Sequence, residues 1–350
     1  DPDSLAIATN AAGGRAGAAF TTQPVVNIKD VAGNLVQLSP GNSLVITASL
    51  TGGTGSLVGT TTATASSSVA TFTNLGISGL ISDTYSITFT ATHNGDTFTV
   101  VQSGITIGHG DAASLSLYTP AATAVNNVAF GTQPVVKVLD VAGNLVANST
   151  ASITVAANRT TLGGTAAVAA TAGSVTFSGL KLTGTVGDVT LTYSSGSLGT
   201  ASQIVTLAHG AATQVSITVA SSLVNDTVFA TQPVVTIKDV SGNTVTTGSD
   251  ASQTVTLSST DATIGGTVSM NATAGEANFT GKGVKLTGLV GARNLTAIIA
   301  SPSSISGTAS VTITYGAATK LAVTTLATGF VNRTDFTVQP AVTIQDVSGN

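Results

Sequence analysis

The chain has 350 residues and a net charge of −4, and only 7% of its residues are charged, where about 25% is typical. It contains no basic run and no uninterrupted apolar stretch of roughly 18 residues, so neither a nucleic-acid-binding surface nor a membrane span is expected in this segment. The absence of cysteine excludes disulfides, zinc thiolate sites and thiol nucleophiles.

The first element along the chain is a phrase that occurs four times. It runs from Gln23 to Asn34 and returns at three later places: Gln133 to Asn144, Gln232 to Asn243 and Gln339 to Asn350. The spacing of about 100 residues is too long for a solenoid repeat and fits a series of whole domains.

Each phrase contains a strand entry and a turn. A proline opens the strand, where a missing N–H is tolerated: Pro24, Pro134, Pro233 and Pro340. The Asp-Val-Ala/Ser-Gly-Asn part that follows is rich in residues that accept the positive φ of tight turns. The sequence therefore predicts structural turns at Gly33, Asn34, Gly143, Asn144, Gly242 and Asn243.

A second phrase marks the junctions between copies. Each copy of this phrase contains a glycine at the point where one run of strands ends and the next begins. The glycines are Gly110, Gly210 and Gly316, and they follow His109, His209 and Tyr315. The junctions predict four regions: repeat 1 (1–109), repeat 2 (110–209), repeat 3 (210–316) and the first strands of a truncated fourth repeat (317–350). We expect the chain to be a piece of a longer protein. Strand donation by the fourth copy and an unfolded tail are the alternatives.

Repeat 2 shows the strand pattern most clearly, because β-branched residues alternate there with Ser and Thr between turn residues. Seven strands are predicted: Ser114–Tyr118, Pro134–Asp140, Ala151–Ala156, Val175–Ser178, Lys181–Thr183, Val189–Tyr193 and Ser202–Ala208. No helical stripe of useful length occurs. This density of short strands predicts an all-β chain of sandwich domains.

The repeated phrase and two later motifs resemble bacterial immunoglobulin-like domains of the invasin and intimin type. The later motifs are a Gly-x-Ala/Val-x-Phe segment (Gly173–Phe177, Gly275–Phe279) and a Leu-x-Gly-x-x-Gly step (Leu182–Gly187, Leu286–Gly291). Repeat 1 departs from the first motif at Ser68–Phe72. The resemblance covers essentially the whole chain and implies tandem immunoglobulin-like β-sandwich domains arranged end to end in a large extracellular, cell-surface protein of bacteria.

Most domains of this family act as spacers, so the resemblance implies a non-catalytic structural role in a rod, filament, sheath or surface-layer array. The alternative is the stalk of an adhesin whose binding module lies outside this segment. The expected partners are copies of the chain itself, a host or cell-surface ligand bound by modules not present, and glycans. A carbohydrate-binding domain is disfavoured because the chain has no Trp and only 4% aromatic residues.

No nucleophile with a base, paired carboxylates or phosphate-binding loop can be identified, so neither catalysis nor a cofactor is expected. The turn aspartates are weak calcium candidates, because calcium needs six to eight oxygens and each turn offers one Asp and one Asn: Asp30, Asp140, Asp239 and Asp346. The junction histidines could be metal ligands or form a pH-sensitive joint. Because Tyr315 replaces the histidine at the third junction, we expect them to be polar linker residues instead.

The sequence contains residues that bear on two kinds of covalent modification. An isopeptide cross-link from Lys29 or Lys238 is disfavoured because Leu139 and Gln345 replace the lysine in the other copies. Glycosylation would matter only where a glycosylation system exists. Sequons occur at Asn148, Asn158, Asn225, Asn271, Asn278, Asn294 and Asn332.

Overall fold

A computed structural model of the chain describes residues 1–300 and 304–350. Within this part the only helical element is a short 3-10 helix at Ser249–Ser252, and all other regular secondary structure is β-strand. The chain forms two compact units. The first consists of Asp1–Thr123, Phe130–Leu180 and Val189–Val205, and the second of Ala124–Ala129, Lys181–Asp188 and Thr206–Asn350.

Repeat 1 is built from short strands joined by turns. They are β1 (Ser4–Thr9), β2 (Gly14–Arg15), β3 (Ala18–Ala19), β4 (Val25–Lys29), β5 (Val45–Gly52), β6 (Gly55–Val58), β7 (Thr62–Thr64), β8 (Val69–Thr71), β9 (Gly76–Gly79), β10 (Tyr85–His93), β11 (Asp96–Ile105) and β12 (Ile107–Gly108). The main sheets have the orders β1-β4-β8 and β11-β10-β5-β7, with antiparallel pairing.

The core of repeat 1 lies between these two sheets. Alternate residues of β4, such as Val26 and Ile28, are fully buried and share one hydrophobic cluster with Ile46 of β5 and Phe89 of β10. Because side chains of a strand alternate between its two faces, this pattern is that of a sandwich with a buried inner face on each sheet.

Repeat 2 continues the same pattern. Its strands are β13 (Ser114–Thr119), β14 (Val135–Leu139), β15 (Ser152–Ala157), β16 (Thr161–Gly163), β17 (Ala167–Ala169), β18 (Ser174–Thr176), β19 (Lys181–Thr183), β20 (Gly187–Ser194) and β21 (Thr200–Leu207). All seven predicted strands are present, with ends shifted by a few residues. Two further strands, β16 and β17, were not predicted.

The core of repeat 2 contains a tyrosine whose hydroxyl is unsatisfied. The ring of Tyr193 packs against Phe177 with 5.7 Å between centroids, as Phe89 packs against Phe72 at 5.3 Å in repeat 1. Tyr193 is fully buried, and burial raises its pKa. Its hydroxyl has no hydrogen-bond partner among the described residues. A buried polar group without a partner lowers the stability of the fold.

Replacing this tyrosine is therefore expected to stabilise the protein. Tyr193→Phe should raise the free energy of unfolding by about 1 kcal/mol or more, because it removes a buried unsatisfied hydroxyl and keeps the ring. Urea unfolding measures the change. Tyr85→Phe is the matched control and should be destabilising, because the Tyr85 hydroxyl donates to the carbonyl of Leu80 at 2.7 Å. A loss of stability in Tyr193→Phe would contradict this account of the core.

Repeat 3 has the same organisation. Its strands are β22 (Gln214–Thr218), β23 (Ser222–Val224), β24 (Val234–Lys238), β25 (Thr254–Ser258), β26 (Thr263–Gly265), β27 (Ser269–Asn271), β28 (Glu276–Asn278), β29 (Lys285–Thr287), β30 (Gly291–Ile299) and β31 (Ile305–Thr314). The main sheets are β22-β24-β28 and β23-β31-β30-β25-β27. Val235, Ile237, Leu257 and Ala297 lie in one buried cluster.

Residues 317–350 form only a two-stranded antiparallel sheet of β32 (Lys320–Thr325) and β33 (Ala341–Gln345). Leu321 is 70% exposed, whereas Leu5, its counterpart in repeat 1, is 7% exposed. Two strands cannot bury a sandwich core, which explains why the apolar face of this segment is open. The prediction that a fourth copy begins here stays a prediction.

The observed sheets and cores confirm the predicted fold class. The chain is all-β and consists of tandem immunoglobulin-like β-sandwich domains.

Candidate functional site: the joints between repeats

The two recurring phrases of the sequence meet in space. The N–H of each junction glycine donates a hydrogen bond to the Oδ2 atom of the aspartate in the following turn. The pairs are Gly110 with Asp140 at 2.7 Å, Gly210 with Asp239 at 2.9 Å, and Gly316 with Asp346 at 3.0 Å. We name these contacts joint 1, joint 2 and joint 3. Joint 1 lies within the first compact unit, and joints 2 and 3 lie within the second.

Each aspartate also organises its own turn. In joint 2 the Oδ1 atom of Asp239 accepts the N–H groups of Ser241 at 2.9 Å and Asn243 at 3.0 Å. Only the glycine of the turn takes a positive φ, which is 81° at Gly242. The sequence predicts that Asp and Asn, like Gly, take the positive φ of these turns. The structure instead uses their side chains as hydrogen-bonding groups, as in an Asx turn.

The turn asparagine joins the aspartate to a loop of the preceding repeat. The Nδ2 group of Asn243 donates to Asp239 Oδ2 at 2.9 Å and to the carbonyl of Gly184 at 2.9 Å. Its Oδ1 atom accepts the N–H of Val186 at 3.0 Å. The same three contacts occur in joints 1 and 3, through Asn144 with Gly79 and Ile81, and through Asn350 with Gly288 and Val290.

Joints 2 and 3 contain an additional donor that sequence reasoning missed. Asn126 donates from Nδ2 to Asp239 Oδ2 at 2.7 Å, and its Oδ1 atom accepts the N–H of Gly184 at 3.0 Å. Asn225 holds the same place beside Asp346 at 2.9 Å. Both asparagines stand at the same distance ahead of the Gln-Pro step of their repeats, and this shared position is the sequence signal that could have identified them.

Joint 1 has alanine at the corresponding place. The N–H of Ala16 donates to Gly108 O at 2.9 Å, as that of Asn126 donates to Ala208 O at 2.9 Å. Beside this alanine, joint 1 has an ion pair at the surface, in which Arg15 Nη2 lies 2.7 Å from Asp111 Oδ1. The ion pair is exposed and therefore contributes little to stability.

The joint carboxylates are almost completely buried: Asp140, Asp239 and Asp346 are each at most 3% exposed. Burial by itself raises the pKa of Asp140 and Asp239. Hydrogen bonds from the junction glycine and the turn asparagine outweigh this effect, so the pKa of each carboxyl lies below its ordinary value. The pKa of Asp346 is lowered for the same reason. The joints therefore hold ionised carboxylates at neutral pH.

This ionisation predicts how the joints respond to acid. A carboxyl whose pKa is lowered in the folded state stabilises that state above the unfolded pKa of about 3.9 and loses this effect as pH falls through the folded pKa. The difference in unfolding free energy between the wild type and Asp239→Ala should therefore stay constant from pH 8 to pH 5. It should shrink below about pH 4. Urea unfolding at stepped pH measures this, and a difference that grows on acidification would contradict the assignment.

The hydrogen-bonding geometry of the joints does not suit the binding of a cation. The carboxylate oxygens of each joint point at N–H donors, and a cation would have to displace them. Among residues 1–300 and 304–350, no three His, Cys, Asp or Glu side chains lie together in a way that could hold a metal. The calcium hypothesis for Asp30, Asp140, Asp239 and Asp346 therefore gains no support from the geometry.

The junction histidines lie at the margins of the joints. The Nδ1 atoms of His109 and His209 lie 2.9 and 3.0 Å from the carbonyls of Gly110 and Gly210. His209 also contacts Thr247, with 2.9 Å between Nε2 and Oγ1. These contacts orient the rings within the linker.

The remaining candidate residues, apart from Asn225, lie outside the joints. Pro24, Pro134, Pro233 and Pro340 immediately precede β4, β14, β24 and β33. Lys29 and Lys238 are half-exposed in their strands. Asn225 is 2% exposed and bonded within joint 3, so this sequon is closed to a glycan in the folded chain. The other six sequon asparagines are exposed: Asn148, Asn158, Asn271, Asn278, Asn294 and Asn332.

The described residues form no helix that is long and apolar enough to cross a membrane. No protein-family model matches the chain, and no curated protein matches it.

Several solved structures align with this chain at low sequence identity. Invasin, a bacterial integrin-binding protein, aligns at 14% identity and a TM-score of 0.31, over 95% of this chain and 63% of that one. Domains 4–9 of the surface layer protein SbsC align at 14% identity and a TM-score of 0.25, over 93% of this chain and 50% of that one.

A β-glycosidase from Bacteroides vulgatus aligns at 12% identity and a TM-score of 0.25, over 59% of this chain and 25% of that one. The chain thus spans about a quarter of the length of that enzyme. Because all three TM-scores lie below 0.5, the fold assignment rests on the strand pairing and the cores described above.

Proposed function

We propose that this chain is a segment of a non-catalytic, extracellular structural protein of a cell surface, built to form a filament, sheath or surface-layer array. The proposed functional sites are the joints, because they hold each repeat in a fixed orientation relative to the next. The repeats are proposed to end at residues 109, 209 and 316.

The observation that carries this proposal is the threefold recurrence of one buried, hydrogen-bonded joint. Each joint combines a carboxylate, a side-chain amide and backbone N–H and C=O groups, and these polar groups satisfy one another. A fully satisfied buried polar network specifies one geometry and resists displacement. Only three residues separate Gly110 from the start of β13 at Ser114, so little flexible linker remains. Such a connection suits a load-bearing array of repeats.

The composition supports an array at a cell surface. Only 7% of the residues are charged, and strands such as β7 are the last strands of their sheets in hydrogen-bonding order. Low charge and open edges favour lateral association, so further copies of this chain are the proposed partners. Glycans on the exposed sequons and a ligand bound by other modules belong to the same proposal. The adhesin stalk remains the alternative, and no described contact favours it.

The stiffness of the joints can be tested by ¹⁵N relaxation of the full chain. We expect residues on the two sides of each joint to share one rotational correlation time. A variant with Asp140→Ala, Asp239→Ala and Asp346→Ala should show shorter, unequal correlation times while its strands stay folded. Independent tumbling of the repeats in the wild type would overturn the proposal.

The location and the assembly need separate experiments. Antibodies against this chain should label intact producing cells, and labelling only after lysis would contradict a surface location. Electron microscopy of the native surface material should show regular contacts between identical chains. Isolated chains, each ending in a distinct tip, would favour the adhesin stalk instead.

A further inference from the structure

The first turn of the chain has the geometry of a joint turn. The Oδ1 atom of Asp30 accepts the N–H groups of Ala32 at 3.0 Å and Asn34 at 2.9 Å. The N–H of Gly33 donates to the carbonyl of Asp30 at 2.9 Å, and Gly33 has a φ of 82°. The turns of joints 1, 2 and 3 contain the same contacts.

The first turn differs from the other three in what lies against it. Within residues 1–300 and 304–350, no group outside the turn donates a hydrogen bond to the Asp30 carboxylate. The side chain of Asn34 is exposed, whereas Asn144 and Asn243 are buried against the preceding repeat. The hydrogen-bonding groups that form joints elsewhere are therefore open to solvent here.

A cavity lies beside this turn, at the position that the junction residue occupies in joint 2. The cavity has a volume of about 560 Å³, and its walls include Asp30, Asn34, Leu38 and His93. Leu38 corresponds to Thr247 when the repeated phrases are aligned. In joint 2 the ring of His209 contacts Thr247. The cavity thus lies where an imidazole or phenol preceding a junction glycine would fit.

We propose that Asp30, Asn34 and the neighbouring cavity form the receiving half of a further joint. Its occupant is the end of another repeat of this type, joined covalently ahead of Asp1. That end would offer a glycine N–H to Asp30, a loop carbonyl and N–H to Asn34, and a His or Tyr ring to the cavity.

Covalent attachment follows from the size of the contact. Each joint consists of a few hydrogen bonds, and all three observed joints unite neighbours along one chain. A contact of this size forms through the high effective concentration that a short linker provides. A free second copy is therefore not expected to occupy the site. The inference rests on the proposed role of the joints and adds a specific new contact to it.

The test is an extended chain in which a copy of residues 210–316 is fused directly ahead of Asp1. The last residue of this copy is the equivalent of Gly316, and we call it the added glycine. The exchange rate of this glycine amide should be at least ten-fold lower than in the same extended chain with Asp30→Ala. Asn34→Ala is a second variant, and it should release the amide in the same way. The unextended chain mixed with free repeat should show no change at Asn34.

The original Gly210 of joint 2, not its copy in the added repeat, is the internal reference in the extended chain. If the Gly210 amide is protected and the added glycine amide exchanges freely, this inference fails while the proposed role of the joints stands. If both amides exchange freely, the joints themselves are refuted. Protection of the added glycine that persists in both variants would also overturn the inference, because the contact would then not involve Asp30 and Asn34.

Discussion

Asp239→Ala is expected to lower the free energy of unfolding of the transition that contains repeat 3 by about 2 to 4 kcal/mol. The carboxylate is fully buried and accepts hydrogen bonds from Gly210, Asn126 and Asn243. Alanine would leave these donors without an acceptor, and buried donors without acceptors cost more than the hydrogen bonds themselves contribute. Urea unfolding monitored by near-UV circular dichroism and calorimetry measures the loss.

Asp30→Ala is the matched control for this prediction. It removes the same residue from the same kind of turn, but among the described residues the Asp30 carboxylate accepts hydrogen bonds only from Ala32 and Asn34 of its own turn. Its effect should be clearly smaller than that of Asp239→Ala, because only the turn itself is weakened. Equal losses in the two variants would show that the aspartates stabilise turns alone and that the joints contribute nothing.

Gly110→Ala is expected to disrupt joint 1 by steric conflict. A Cβ atom at this position would lie 2.2 Å from the carbonyl oxygen of Ala16, which belongs to the backbone and cannot turn away. The conflict should separate the Gly110 N–H from Asp140 and cost about 2 to 4 kcal/mol. Unfolding free energies and the exchange rate of the residue-110 amide measure the effect.

The chain offers a close control for this substitution. A Cβ atom at Gly108, two positions earlier, would meet no atom within 4 Å, and Gly108 does not have a positive φ. Gly108→Ala should therefore leave stability within about 0.5 kcal/mol of the wild type. A neutral Gly110→Ala would contradict the close approach of the two repeats at this glycine.

The sandwich strands could be predicted because their signal is local. In β14 the buried residues Val136 and Val138 alternate with half-exposed neighbours, and this alternation is visible in the sequence. β16 and β17 are not among the seven predicted strands because β16 ends in a glycine and β17 is mostly alanine, so neither shows β-branched residues alternating with Ser or Thr. Strand ends differ by a few residues because hydrogen bonding, which the sequence does not display, defines them.

The joints could not be predicted because their partners are distant along the chain. Asp239 meets Gly210 across 29 positions and Asn126 across 113 positions. Each residue also had a sufficient local explanation, namely a turn for Asp239, a linker for Gly210 and a sequon for Asn225. Recurrence indicated which residues matter, but it did not show that the turn and the junction form one site.

Hydrogen exchange of the Gly110, Gly210 and Gly316 amides in the native chain tests the central claim most directly, since each amide is the donor at the centre of one joint. We predict protection well above that of an exposed turn amide at all three glycines. We also predict selective loss of protection at Gly210 in Asp239→Ala, with Gly110 unchanged. Exchange of the three amides at the rate of unstructured peptide would contradict the joint as the device that holds successive repeats together.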